Sequence, residues 1–484
     1  MNLCTVGHSY KYELEKLCRL FFPFEKIKFF TDSLTDGFSV VTELQGNEIR
    51  AAVYLNGEKC EDSAFLSDGD DAELKIAVML FELLCGITGY RPEWGVLTGV
   101  RPAKLYRKLE NAGGKEYADA YFKNSLKVSE YKTALCAKTA MSEESIINLS
   151  ADNSFSLYIS IPFCPTRCSY CSFVSHSVDK AGKLIPEYFE LLKKEIALSA
   201  KITKEQNLKL ETVYIGGGTP TVLDHNQLGD LIDTVKGNFD MSTCREFTVE
   251  AGRPDTVTDA KLNVLKQKGV TRISINPQTF NDKVLENIGR RHTAKEAESA
   301  FLAARKAGHD NINMDLIAGL PGDTFESFKE TIERVIGLSP ESVTIHSLSV
   351  KRASTLNTSG ELPEMQAGEE AAKMVRFAEA ELEKAGILPY YMYRQSKTVG
   401  NLENVGYAKA GFEGLYNVYI MDETHTIIAC GASGVTKLKQ PGVNNIERIY
   451  NFKYPYEYIS RFSEVCERKN GIGEFYDKYC KLDK

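Results

Sequence analysis

The feature that most constrains the fold is an alternation of strand and helix patterns between about residues 155 and 350. Runs of helical periodicity lie near 185–205, 224–237, 258–268, 282–288 with 294–307, and 325–337. Such an alternation predicts βαβ units, a parallel sheet and, with six units, an α/β fold built on a partial (β/α)6 barrel. Functional residues in such barrels follow the carboxyl ends of the strands. The six predicted strands are Ser156 to Ile161, Thr212 to Ile215, Glu246 to Glu250, Arg272 to Asn276, Ile312 to Ile317 and Ser342 to His346.

The regions on either side of this alternation have different patterns. Three strand patterns, at 26–30, 38–42 and 50–54, precede helical patterns that end at Cys85 and that run from about 103 to 149. A predicted helix over 364–385 precedes a tail rich in Tyr and Gly. We therefore predict an N-terminal α+β module of unknown role at 1–150, the α/β core at 151–360 and a C-terminal region at 361–484.

Composition and charge exclude several classes of protein. The 484 residues are 43% hydrophobic and 26% charged, which is typical of a globular chain and not of a disordered one. The net charge of -7 argues against a polybasic nucleic-acid or membrane-surface protein. The sequence has no apolar run of about 18 residues and no basic, then apolar, leader. We therefore expect a cytoplasmic protein without a membrane span.

Three of the twelve cysteines form a motif. Cys164, Cys168 and Cys171 give C-x3-C-x2-C directly after the first strand of the predicted core. Three thiolates on one short loop can converge on a metal centre, and with no fourth cysteine nearby we favour a three-cysteine iron–sulfur site. Zinc with His176 as the fourth ligand is the alternative. The other nine cysteines are scattered, and we interpret them as reduced thiols.

The segment from Tyr158 to Cys171 resembles the radical S-adenosylmethionine (SAM) superfamily. Within that superfamily it resembles the oxygen-independent coproporphyrinogen III dehydrogenase family. The segments Leu97 to Pro102 and Asn401 to Tyr407 resemble the HemZ-type branch. The resemblance implies a [4Fe-4S] cluster held by the three cysteines, with one or two SAM molecules beside it. It further implies that the reduced cluster cleaves SAM to a 5′-deoxyadenosyl radical.

The same resemblance implies a set of SAM contacts that follow the predicted strands. The glycine run after the second strand lets the backbone approach a ligand closely. A guanidinium beyond the fourth strand can hold a carboxylate bidentately, and the resemblance favours Arg290 over the neighbouring Arg291 for this role. We interpret His292 as structural. The implied contacts are Tyr158, Tyr170, Gly217, Gly218, Thr219, Glu250, Gln278, Arg290, Asp315 and Ser347.

The family reaction is the anaerobic oxidative decarboxylation of coproporphyrinogen III to protoporphyrinogen IX in haem biosynthesis. The resemblance therefore implies an oxidoreductase, monomeric, with an electron donor such as flavodoxin or ferredoxin and an electron acceptor. We expect residues 361–484 to lie on the side of the tetrapyrrole substrate, and we expect no nucleic acid. The candidate substrate contacts are Lys351, Arg352, Tyr390, Tyr391, Tyr393 and Arg394.

One position departs from the established branch of the family. Phe173 stands two residues after Cys171, where that branch has a further cysteine. Relatives that act as haem-binding chaperones also have Phe there. Two alternatives therefore stand beside the dehydrogenase: a haem-binding chaperone or trafficking protein, and a radical SAM enzyme that acts on another tetrapyrrole.

Overall fold

A computed structural model of the chain describes residues 1–23, 25–32, 37–171, 175–349, 365–395 and 397–480. The chain divides into two compact units. The first unit comprises residues 1–141 and 393–401, and the second comprises residues 142–392 and 402–484. No helix among the described residues is both long enough and apolar enough to cross a membrane.

The first unit contains a five-stranded sheet in the order β2-β1-β3-β4-β5. β1 is parallel to β2 and β3, whereas β3, β4 and β5 are antiparallel. The three predicted strands are confirmed as β2, β3 and β4. β5 was not predicted because most of its side chains are exposed and polar, so it has no apolar alternation. The strands are β1 (Asn2–Val6), β2 (Lys28–Phe30), β3 (Ser39–Gln45), β4 (Glu48–Leu55) and β5 (Glu58–Phe65).

Apolar stripes of two helices form the core of the first unit. Leu14 and Leu17 of the first helix pack with Ile76 and Leu80 of the second against one face of the sheet. Asp71 begins the second helix by accepting a hydrogen bond from the amide of Leu74, as N-cap residues do. The helices are α1 (Lys11–Phe21), α2 (Ala72–Thr88), α3 (Pro102–Gly113), α4 (Lys115–Ala120) and α5 (Glu130–Ile147), the last of which ends in the second unit.

The strands of the second unit belong chiefly to one sheet, in the order β14-β15-β13-β12-β11-β10-β9-β6-β16-β17-β18. Strands β16, β6, β9, β10, β11, β12 and β13 are all parallel to their neighbours in this order. They include all six predicted strands, and the mixed α/β fold is confirmed. The strands are β6 (Ser154–Ile161), β7 (Phe163–Cys164), β8 (His176–Ser177), β9 (Lys209–Gly217), β10 (Glu246–Glu250), β11 (Arg272–Ser274), β12 (Ile312–Ala318), β13 (Ser342–Ser347), β14 (Leu388–Arg394), β15 (Glu403–Ala408), β16 (Thr426–Cys430), β17 (Val435–Lys439) and β18 (Ile446–Tyr450).

Helices connect the parallel strands, as the sequence periodicity predicts. Asp224 and Thr293 each begin a helix with a capping box, which satisfies amides that have no partner within the helix. The helices are α6 (Val178–Ala181), α7 (Ile185–Glu205), α8 (His225–Asn238), α9 (Asp259–Gln267), α10 (Asp282–Asn287), α11 (Ala294–Lys306), α12 (Phe325–Leu338), α13 (Met365–Lys384), α14 (Leu415–Asp422), α15 (Pro455–Ser460) and α16 (Phe462–Tyr479).

Because the seven strands are parallel, their carboxyl ends lie at one edge of the sheet, which we call the carboxyl edge. The opposite, amino edge is occupied in part by α14. Glu246, the first residue of β10, accepts hydrogen bonds from the amides of Leu415 at 2.7 Å and Tyr416 at 3.2 Å. The carboxylate thus satisfies the start of α14.

Candidate functional site

The cysteine motif leaves the end of β6 and forms a loop at the carboxyl edge. Cys164 lies in β7, which pairs with β8 through Phe163 and His176. The amide of Ser169 donates to the carbonyl of Ile288 at 3.0 Å, which ties the loop to the segment after α10. The described cysteines are all thiols without disulfides. Phe173 lies outside the described residues.

Two of the three sulfur atoms already accept hydrogen bonds. Arg253 Nη1 lies 3.5 Å from Cys168 Sγ, and Thr219 Oγ1 lies 3.5 Å from Cys164 Sγ. Within the described ranges no group of three His, Cys, Asp or Glu side chains is arranged to hold a metal ion. The donor chemistry nevertheless fits an iron–sulfur cluster, because its usual ligands are thiolates whose sulfur atoms accept hydrogen bonds.

The glycine run packs directly against this loop. The amide of Gly218 donates to the carbonyl of Ile161, and that of Thr219 donates to the carbonyl of Phe163, both at 2.8 Å. A Cβ atom on Gly218 would lie 2.6 Å from the Phe163 carbonyl oxygen and 3.0 Å from Cys164 Sγ. Gly217 has a φ of 107°, a conformation that glycine adopts at low energy. The two strand ends can approach this closely only because these residues have no side chain.

Arg290 lies at the carboxyl edge, where its guanidinium contacts Tyr170 of the cysteine loop. Its Nη1 donates to the carbonyl of Asn276 at 2.8 Å, and its Nη2 donates to the Tyr170 hydroxyl at 3.1 Å. Its Nε has no hydrogen-bond partner among the described residues. Arg291, by contrast, is exposed and pairs with Asp179 at 3.6 Å. The structure thus directs only the first of the two arginines inward.

His292 is buried and electrically neutral. Burial and, to a smaller extent, the nearby charges of Arg290 and Arg253 together lower its pKa to about 4. Its side chain is 2% exposed, and neither ring nitrogen has a hydrogen-bond partner within the described part of the chain. The residue remains a neutral imidazole at neutral pH.

Two carboxylates at the carboxyl edge differ in protonation. Burial raises the pKa of Glu250 to about 7, although its Oε1 accepts a 2.5 Å hydrogen bond from the Tyr214 hydroxyl. Burial would also raise the pKa of Asp315, but the His346 ring, whose Nε2 lies 3.8 Å from Oδ2, and the hydrogen bond from Asn313 lower it overall. Asn313 Nδ2 donates to Asp315 Oδ1 at 2.7 Å. Near pH 7, Asp315 is therefore ionised while Glu250 is between its two forms.

Gln278 connects the ends of β11 and β12 in an unusual conformation. Its amide donates to the carbonyl of Asp315 at 3.0 Å, and its carbonyl accepts from the amide of Ile317 at 3.0 Å. Its φ is 69°, which is uncommon for a residue other than glycine and often marks a functional site. Its buried Oε1 has no hydrogen-bond partner among the described residues. The strained backbone holds an unsatisfied acceptor at the carboxyl edge.

Ser347 also lies at the end of its strand, but its side chain is engaged elsewhere. Its hydroxyl donates to the carbonyl of Glu403 at 2.7 Å, and its amide donates to Asn404 Oδ1 at 3.1 Å. Both partners belong to β15. The structure therefore places Ser347 in the β13–β15 junction and does not bring its hydroxyl into contact with the other predicted site residues.

Three tyrosine rings, from β6, β9 and α14, stack on one another beside the parallel strands. The ring centroids of Tyr214 and Tyr416 are 4.5 Å apart, and Tyr158 lies 6.2 Å from each of them. Of the three, the sequence singled out only Tyr158. Arg253 was also missed, although it follows Glu250 by three residues and the strand-end rule could have found it. Nothing in the local sequence places Tyr416 here, because it comes from α14.

The candidate substrate contacts lie in several places. Tyr390 and Tyr391 are buried, and the Tyr390 hydroxyl accepts a hydrogen bond from Asn417 Nδ2 at 3.0 Å. Tyr393 and Arg394 belong to the first unit, where Arg394 stacks on the Trp94 ring at 4.9 Å. Lys351 and Arg352 lie outside the described residues.

Comparison with known proteins identifies the family. Residues 158–335 match the model of the radical SAM superfamily. The oxygen-independent coproporphyrinogen-III oxidase-like protein HemZ of Bacillus subtilis is 36% identical over 444 residues, which cover 90% of this chain and 88% of that protein. This chain belongs to the HemZ-type radical SAM family. The family uses a [4Fe-4S] cluster and S-adenosylmethionine, so the resemblance and the cofactors expected from the sequence are confirmed.

Two further comparisons cover less of the chain. The heme chaperone HemW of Bacillus subtilis is 35% identical over 287 residues, which cover 58% of this chain and 70% of that protein. The structure of the coproporphyrinogen III oxidase HemN of Escherichia coli aligns with a TM-score of 0.51 at 22% identity. That alignment covers 68% of this chain and 73% of HemN, and at this identity it supports the fold alone.

Proposed function

We propose that this protein catalyses the anaerobic oxidative decarboxylation of coproporphyrinogen III to protoporphyrinogen IX. The observation that carries the proposal is the likeness to HemZ, which spans 90% of the chain. The likeness to HemW spans 58%. A shared radical SAM core can account for much of the match to HemW. Only the match to HemZ extends over most of the sequence outside that core.

In this proposal Cys164, Cys168 and Cys171 hold the cluster. With both cofactors bound, the cluster would supply the electron for reductive cleavage of SAM, and the resulting 5′-deoxyadenosyl radical would remove a hydrogen atom from a propionate side chain. Two observations support a ligand beside the cysteine loop: the unsatisfied Oε1 of Gln278 and the unsatisfied Nε of Arg290. Both atoms are buried, and buried polar atoms without a partner are costly until a ligand satisfies them.

The remaining contacts follow from chemistry at the carboxyl edge. Arg290 carries the positive charge for the SAM carboxylate, while Glu250 and Asp315 supply acceptors for its ammonium and ribose hydroxyl groups. The turn of Gly217, Gly218 and Thr219 packs against the cysteine loop and places its backbone beside the ligand, and Tyr158 and Tyr170 supply aromatic faces. Ser347 remains in the proposed set only through its position at the strand end.

The partners belong to the same proposal. The tetrapyrrole binds on the side of residues 361–484. A one-electron donor such as flavodoxin or ferredoxin reduces the cluster, and a separate acceptor takes the electron released on decarboxylation. We propose a cytoplasmic monomer, and residues 1–150 remain a module of unknown role.

A second function, haem binding without decarboxylation, has one specific observation in its favour. Phe173 occupies the position two residues after Cys171 at which the established dehydrogenases have a cysteine. The 35% identity to HemW also supports haem binding.

An anaerobic assay distinguishes the two functions. Reconstituted protein with coproporphyrinogen III, SAM and a reductant should release 5′-deoxyadenosine and carbon dioxide in equal amounts, because each abstracted hydrogen leads to the loss of one carboxyl group. Vinyl product should appear in step, and Cys168→Ala should produce none. Tight haem binding together with no carbon dioxide would contradict the proposal and support the chaperone.

A further inference from the structure

A buried ion pair outside the cofactor residues joins two helices of the second unit. Glu195 on α7 and Lys469 on α16 both have side chains that are 0% exposed, and their Oε1 and Nζ atoms are 3.0 Å apart. Burial lowers the pKa of Lys469, but the charge of Glu195 raises it overall, so the lysine stays charged. A charge pair this deep is tolerated only where further hydrogen bonds satisfy it.

Glu195 has those hydrogen bonds, and they come from the segments around β16 and β18. Its Oε2 accepts from the amide of Gly431 and from the Tyr458 hydroxyl, each at 2.7 Å. Its Oε1 accepts from Asn451 Nδ2 at 2.7 Å. The ammonium of Lys469 donates in turn to the carbonyl of Ala429 in β16. One carboxylate therefore fixes the turn that follows β16.

The same turn rests on the end of β6. The Tyr188 hydroxyl donates to the carbonyl of Ser160 at 2.8 Å and accepts from the amide of Ala432 at 2.9 Å. A Cβ atom on Gly431 would lie 2.6 Å from the Ser160 carbonyl oxygen. The carbonyl of the next residue, Ile161, accepts a hydrogen bond from the amide of Gly218. A series of hydrogen bonds, connected through the backbone between Gly431 and Ala432 and between Ser160 and Ile161, thus runs from Glu195 to the base of the cysteine loop.

We propose that Glu195, Lys469 and Tyr188 are positioning residues that fix the carboxyl ends of β6 and β16 and thereby set the geometry of the cluster-binding loop. Among the described residues, their hydrogen bonds and ion pairs are made to groups other than the three motif cysteines and the proposed SAM contacts. The inference rests on the cluster at Cys164, Cys168 and Cys171 but not on the tetrapyrrole reaction, so a different substrate would leave it intact.

The test compares two carboxylates at opposite edges of the same sheet. Glu341 is also buried, and it accepts from Arg305 Nη2 at 2.7 Å and from the amide of Ile312 at 3.1 Å, but it lies at the amino edge. Glu195→Gln leaves Lys469 without its charged partner, and Glu341→Gln leaves Arg305 and Lys409 without theirs. The measurements are the thermal midpoint, the bound iron and sulfide, and the electron paramagnetic resonance spectrum of the reduced cluster with and without SAM.

We expect Glu195→Gln to lower cluster content at least two-fold and to alter the spectral change that SAM produces. Glu341→Gln should keep both at the wild-type level even if its thermal midpoint falls as far. Wild-type content and spectra in Glu195→Gln, or equal losses in both variants, would overturn the proposal.

A milder pair of variants keeps the test valid if Glu195→Gln fails to fold. Tyr188→Phe removes only the hydroxyl that joins Ser160 and Ala432. Tyr476→Phe removes a buried hydroxyl that bonds Thr426 at 2.5 Å, at the amino end of β16. Tyr188→Phe should change the spectrum of the reduced cluster, whereas Tyr476→Phe should not. An unchanged spectrum in Tyr188→Phe would overturn the role of the series.

Discussion

At the scale of single residues, Glu250 is one of the groups whose charge opposes folding. Its folded pKa of about 7 lies above its ordinary value of 4.5 because of burial. The folded chain therefore binds this proton more tightly than the unfolded chain does. The protonated form supports folding fully below about pH 4.5, and this contribution is lost as the pH rises through 7.

We predict that Glu250→Gln stabilises the SAM-free protein at high pH and not at low pH. The amide can still accept the Tyr214 hydrogen bond but carries no charge to bury. The gain in free energy of unfolding should reach at most about 3 kcal/mol near pH 8.5 and vanish near pH 4.5. Denaturant titrations at several pH values measure it.

Asp315 provides the opposite case. Its folded pKa is lower than its ordinary pKa because of its polar partners. Its charge therefore stabilises the folded chain at pH values above the ordinary pKa of an aspartate. Asp315→Asn should therefore destabilise the protein at neutral pH, and less so in acid. A gain in stability from Asp315→Asn, or a pH-independent effect of Glu250→Gln, would contradict this account of the two carboxylates.

At the scale of elements, the meeting of β6 and β9 depends on the absence of side chains. We predict that Gly218→Ala lowers bound iron several-fold, because the new methyl group would meet the carbonyl oxygens of Phe163 and Ile161 at 2.6 and 2.9 Å. Backbone atoms cannot move aside as a flexible side chain can. Iron and sulfide analysis after reconstitution measures the effect.

Gly237→Ala is the matched control. Gly237 lies in α8 with nothing within 4 Å of its added Cβ, so the substitution should stabilise the helix by up to about 1 kcal/mol. It should leave bound iron unchanged. Full iron content in Gly218→Ala would show that the two strand ends need not approach so closely.

The sequence predicts the six strands of the core because each is a short apolar run followed by a helical period. Glu250 ends one of these strands and Gln278 follows another, and the family resemblance singles out both as site residues. It does not locate β16, because that strand joins the parallel set from a tail without the alternating pattern, and its pairing with β6 is a long-range contact. Tyr416 and Glu195 depend on such contacts too. Local periodicity carries no information about which distant segments meet.

At the scale of the whole molecule, the parallel sheet is assembled from two distant parts of the chain. We predict that a chain ending after Asp422 neither stays monodisperse nor binds iron, although it keeps all six predicted strands. It lacks β16, so the backbone of β6 keeps β9 as its partner on one side but has none on the other, and an open strand edge promotes association. Size-exclusion chromatography and iron analysis measure both effects. A monomeric, iron-binding fragment would contradict the prediction, and a chain ending after Cys480 is the control.

The pairing of β6 with β16 has a consequence for the timing of synthesis. Phe155 pairs with Thr426, so a ribosome adds roughly 270 further residues, in about 14 to 54 s, before β6 can pair with β16. Lys469 emerges later still. Throughout that interval the nascent chain exposes the cysteine motif on a strand without its final support. We therefore expect stable cluster loading only after translation of Lys469, because the proposed support of the cysteine loop is incomplete before then.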